Sequence, residues 1–336
     1  MQEWEKRVKP VPWEWLLEES NPSVRYFTLC QLLDRSIDSK EVISACERIM
    51  QIGPALKILA KQHPDGYWGK SVNYYVNAKY KGTAHTMLIL AQLGVSQEDK
   101  RIKHMCEFIL EVAQDPISGG FSCSPSSTGH GDQRNLEPCF TGNMTWALIQ
   151  LGYLADPRVK KALDWITTYM RFDDGDSRPL RIFPYYKKDN CWGKHTCHAA
   201  VIRTTKAVAA TPKQYRSQEM ERMAKLAANH LLKHQIFRKS HDLSQIAKPV
   251  WLEFAFPIMV ESDLIEVLEI LLDLGIKDER MQETMDIILN KQKNDGSWIL
   301  ERSHIGRYQT NFEPIGKPSK WITLRALRTI KKYYST

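Results

Sequence analysis

The sequence has no apolar run approaching the roughly 18 residues of a membrane span. Its first residues, MQEWEKRVKPVPWEWLL, carry charge throughout where a signal peptide has an apolar block. A soluble, cytoplasmic protein is the expectation. The usual anchors of nucleotide and hydrolase chemistry are missing: there is no GxxxxGKS/T, no GxGxxG after a strand, no GxSxG and no HExxH. β signal is almost lacking. Cysteine is sparse and odd in number, seven in 336 residues. That argues against a disulfide framework and leaves free thiols or metal ligands. Acidic residues are the minority, 39 against 47 Lys and Arg, for a net charge of +8. The balance suits anionic partners, yet the basic residues are spread along the chain and only the end, RALRTIKKYY, is dense. No nucleic acid is therefore expected as a partner. With 43% hydrophobic and 26% charged residues, the chain can bury a sizeable core.

What is present is repetition. Three segments end a helical pattern with Gln, then a turn, then an aromatic: AKQHPDGYWGK (60–70), EVAQDPISGGFSC (111–123) and LNKQKNDGSWIL (289–300). TTYMRFDDGDSRP (167–179) is a degenerate copy without the Gln, and its Asp173, Asp174 and Asp176 read as solvated turn carboxylates. Each turn leads through a loop into a second, apolar helix: GTAHTMLILAQLG, CFTGNMTWALIQLG, HTCHAAVIRTTKAVAA and PSKWITLRALRTIKK. VWLEFAFPIMVESDLIEVLEILLDLG (250–275) fits the same place in a copy whose turn is lost. A spacing of roughly 50 residues with alternating helices means neighbours that share one core, since no unit buries its own face. Residues 1–50, with the Asn-Pro helix start at 21–22, read as an N-terminal helical cap, and 51–336 as about five helix-pair repeats.

These QW-type turns and alternating helix pairs resemble the squalene-cyclase and protein-prenyltransferase repeat. The resemblance implies an all-α fold, an α/α toroid whose inner helices surround a central cavity for an apolar, isoprenoid-type or diphosphate-bearing ligand. It identifies a scaffold more than a function, because one fold hosts several activities. A non-enzymatic helical-repeat binding module is the alternative.

Within that frame the stretch KDNCWGKHTCH (188–198) carries the chemistry. Cys123, Cys139, Cys191 and Cys197 divide evenly between two successive repeats, one beside a turn aromatic and one at the next inner-helix start. Equivalent positions of adjacent repeats lie side by side, so the four thiols are expected to converge on a structural zinc ion. A second reading follows from the resemblance, in which prenyltransferases hold a catalytic zinc with an Asp-x-Cys and a His from an HTCY-like sequence. The matching positions are Glu137, Cys139 and His195, with His198 as a further ligand and Arg134 where a diphosphate-binding Lys is expected. Glu137 in place of Asp, Phe140 in place of Tyr and Gly131 in place of a basic residue depart from that pattern. They weigh against prenyl transfer to a peptide thiol. At the remaining inner-helix starts, His85, Trp251 with Glu253, and Lys320 with Trp321 are expected to line the cavity, joined by Tyr74 and Tyr75. His130 and Asp132 in SPSSTGHGDQRN are expected to cover its entrance.

Overall fold

The computed structural model describes residues 3–76, 78–175, 177–186 and 188–335. These are mostly helical, with only short two-stranded pairings. Helix α1 spans Lys40–Gln51 and α2 Gly53–Leu59; then come α3 (Thr83–Leu93), α4 (Lys100–Val112), α5 (Pro138–Gln150) and α6 (Pro157–Tyr169). After them follow α7 (His198–Ala210), α8 (Gln218–Lys233), α9 (Leu264–Asp273), α10 (Gln282–Asn290) and α11 (Lys320–Tyr334). From α2 onward they alternate. The first helix of each pair keeps one polar face exposed, whereas α3, α5, α9 and α11 are buried on nearly every side. Helices that are apolar all round belong in the interior of a fold.

The chain forms two compact units that do not follow chain order. Unit one comprises residues 3–60, 92–96 and 234–335; unit two comprises 61–91 and 97–233.

The repeat is held by three bonds that recur at matched places. Gln62, Gln114 and Gln292 each donate to the carbonyl of their own turn glycine, Gly66, Gly119 and Gly296, at 2.9–3.1 Å. The same amide donates to a second carbonyl, that of Arg101 at 2.8 Å, of Arg158 at 2.8 Å and, near the start of the chain, of Lys9 at 3.4 Å. The turn glycines have φ of +91°, +89° and +82°, and a Cβ at Gly296 would stand 2.0 Å from the Pro10 carbonyl oxygen. Glycine is required there both for the left-handed backbone and for the close approach. The residue two after that glycine then gives its N–H to a hydroxyl at the start of the second helix: Trp68 to Thr83, Phe121 to Thr141 and Trp298 to Thr323, at 2.9–3.0 Å.

In the degenerate copy the same bond runs from Asp173 to Thr196, and in the copy without a turn it runs from Ala255 to the Asp263 carboxylate, both 3.0 Å. The aromatic place is therefore filled by Asp173 and Ala255. Trp251 and Glu253 accordingly do not begin a second helix as expected: Trp251 sits in a 3-10 turn, Pro249–Leu252, and α9 begins only at Leu264.

The N-terminal segment packs inside unit one. Lys9 N–H donates to Gln292 Oε1 at 2.8 Å, Phe27 meets Trp321 edge-on, and Lys320 Nζ reaches Glu18 at 2.5 Å. Lys9 thus takes the place beside Gln292 that Arg101 and Arg158 take beside the other two glutamines.

Candidate functional site

Unit two holds five of the seven cysteines. All seven cysteines are free. Cys139 is the second residue of α5, fixed by Pro138 at the helix start, and its Sγ lies 3.9 Å from Glu137 Oε2. Glu137 Oε1 in turn lies 3.7 Å from Lys188 Nζ. Burial pushes the Cys139 thiol well above its ordinary range; the Glu137 carboxylate, Cys191 and Cys197 add to the rise, and the Arg203 guanidinium opposes it. Cys123 is raised likewise, first by burial and then by Glu137, with Cys139 contributing. Burial pushes Cys191 up to about 12, helped by Glu137 and Cys197. The four thiols and Glu137 therefore share one electrostatic neighbourhood.

Aromatic rings stand against it. Tyr75 packs on Phe140 with ring centroids 4.2 Å apart and stacks on His85 at 4.8 Å, while Tyr80 meets His85 edge-on at 5.2 Å. Tyr74 stacks on Phe140 at 6.4 Å, and its hydroxyl donates to the Ser122 carbonyl at 2.7 Å. Burial raises both phenols far above the usual tyrosine range. Arg203, on α7, is completely buried, and α5 crosses it so closely that a Cβ on Gly142 would stand 2.4 Å from the Arg203 carbonyl carbon.

The expected metal sites are not assembled. Among the described residues, no group of three or more His, Cys, Asp or Glu side chains is placed to hold a metal ion. The register of the two repeats also differs. Counted from the anchoring hydroxyl, Cys139 lies two residues before Thr141 whereas Cys197 lies one after Thr196. Three residues separate the two places, nearly a full helical turn. Cys191 differs from Cys123 still more, because the turn of its repeat is at Asp173 and Cys191 lies instead in a short helix, Asp189–Trp192, within the following loop. Nor does the open set of Cys139, His195 and Glu137 form: His195 is turned to Asp174, Nδ1 to Oδ1 3.3 Å. His198 has its ring 6.3 Å from that of His230.

The other expected residues are spread. Arg134 is 84% exposed and held by Asp132, Nη2 to Oδ2 3.0 Å, so it points to solvent rather than to the thiols. His130 bonds the Glu111 carbonyl at 2.8 Å. Asp173 and Asp174 are not solvated: Asp173 pairs with Arg171 at 2.6 Å, and Asp174 with Lys233 at 2.6 Å as well as His195. Asp176 lies outside the described residues. In unit one, Trp321 stacks flat on Phe256 at 4.1 Å, Trp251 lies 5.6 Å from Lys248 Nζ, and half-exposed Glu253 faces Arg302 at 3.7 Å.

Sequence reasoning passed over Arg203 and Lys188 in unit two, and the Asp263 and Arg325 pair in unit one. Arg325 donates to both Asp263 oxygens at 2.9 Å, and both side chains are buried. One signal was available for Arg325: counted two residues from the anchoring hydroxyl, His85, Asn143, His198 and Arg325 stand at the same place.

No family model matches the chain, and no curated protein matches it. Among solved structures it is similar to a type II terpene cyclase, MstE from Scytonema, in complex with its substrate geranylgeranyl dihydroxybenzoate. The identity is 16% and the TM-score 0.42, covering 94% of this chain and 87% of that one.

Proposed function

We propose that this chain is an α/α-toroid helical-repeat protein that binds an isoprenoid-type ligand against the wall formed by Tyr75, His85 and Phe140. The observation that carries the reading is this set of packed rings, with His85 at the start of α3 and Phe140 at the start of α5, beside the protonated Cys139 thiol. Such a wall offers an apolar chain ring faces and uncharged sulfur, both of which favour burial of hydrocarbon. Lys188 and the buried Arg203 supply positive charge for a diphosphate end. Binding is favoured over covalent catalysis, because the thiolate is the nucleophilic form and these thiols are held protonated.

The test is a titration of the protein with geranylgeranyl diphosphate and with the parent alcohol, followed by intrinsic fluorescence and thermal shift. Saturable binding is expected, weakened about tenfold, or about 1.4 kcal/mol, in Tyr75→Ala. Absence of binding across a panel of prenyl chain lengths rejects the reading.

A further inference from the structure

The stretch that holds Cys191 and Cys197 folds back on itself. Trp192 and Thr196 form an antiparallel bridge, and the Cys197 N–H donates to the Cys191 carbonyl at 2.9 Å. That bond limits how far apart the two residues stand. Adding the bonded distances on either side keeps the two Cα atoms within about 7 Å. Disulfides span roughly 4.4–6.8 Å between Cα atoms. The two thiols also lie close enough for Cys197 to act on the Cys191 thiol electrostatically. Both cysteines are free and only partly buried.

We propose that Cys191 and Cys197 are an oxidisable dithiol, converted to a disulfide by exchange with a low-molecular-weight disulfide such as oxidised glutathione. The exchange begins with attack by one of the two cysteines, here Cys197. Its thiolate displaces one thiolate from the small disulfide and forms a mixed disulfide. Cys191 then gives up its proton and attacks the Cys197 sulfur, displacing the second small thiolate. Two protein thiols are oxidised, and one small disulfide is reduced to two thiols that carry away both protons. The new bond closes the 191–197 turn and removes two of the sulfurs that neighbour Cys139. This does not depend on the ligand reading.

Wild-type protein decides the matter without any substitution. Trypsin cuts after Lys188, Lys194 and Arg203, so the two cysteines fall in separate peptides, DNCWGK and HTCHAAVIR. After incubation of the folded protein with oxidised glutathione and capping of residual thiols, the digest is expected to contain these two peptides joined, two hydrogens lighter than their sum. Dithiothreitol should separate them. Cys197→Ser should stop the reaction, with no joined peptide and no second cysteine linked to Cys191. The proposal is overturned if both peptides stay capped under oxidant, or if either is joined instead to the peptide holding Cys123 or Cys139.

Discussion

Gly296 and Gly53 separate two effects that a single glycine substitution usually mixes. Both have positive φ, +82° and +78°, but only Gly296 has backbone in the way of a Cβ. Gly53→Ala should cost about 1–2 kcal/mol, the left-handed strain alone. Gly296→Ala should cost at least about 1 kcal/mol more, because the Pro10 segment must move; equal losses in chemical denaturation would sink the packing account. Cys191 makes a second test at this scale. Its proton is bound more tightly folded than unfolded, with the thiol raised from 9.0 to about 12. The associated stability is therefore fully present below pH 9 and is lost as pH rises toward 12. Denaturation midpoints of wild type should fall across that window more steeply than those of Cys191→Ser.

Between elements, the anchoring bond explains why one helix pair survives without its turn. Asp263 takes the Ala255 N–H that a threonine takes elsewhere, and its charge is answered by Arg325 from α11, which also bonds the Ala255 carbonyl at 2.9 Å. The lost turn is replaced by an ion pair that ties α9 to α11. Arg325→Met leaves a buried carboxylate without its cation and should cost about 3–5 kcal/mol. Asp263→Leu combined with Arg325→Met should recover a good part of that loss, since an apolar pair can replace a buried ion pair. A double variant no more stable than Arg325→Met alone, by calorimetry, would refute this.

For the molecule as a whole, the stoichiometry of bound metal is the sharpest quantity. The thiols share a neighbourhood but are out of register as ligands, so untagged protein purified without chelator should carry well under one zinc per chain by plasma mass spectrometry. One zinc per chain, lost in Cys139→Ser, would restore the four-thiolate reading. The packing of the N-terminal segment in unit one is likewise a property of the whole: Arg328 bonds Gln31 at 2.8 Å, and Lys331 bonds the Leu32 carbonyl at 2.9 Å. Residues some 300 apart in sequence meet there, and no local pattern encodes such a pairing.

The sequence by itself determined the helix pairs, their alternation and the glutamine, glycine and aromatic of each intact turn. Those features are local: periodicity chooses which face is buried, and a left-handed turn demands its glycine. Spacing also placed Cys123, Cys139, Glu137, Cys191 and Cys197 in two successive repeats. Tertiary structure alone decided what they do there. The degenerate turn placed its anchor at Asp173 and Thr196, which moved Cys191 into a loop and set Cys197 nearly one helical turn out of step with Cys139. It also turned His195 to Asp174 and Arg134 to solvent, and brought Arg203 and Lys188 to the thiols. Three residues of register are invisible in a string of matching letters, yet they separate a closed ligand set from a hairpin dithiol beside a wall of rings.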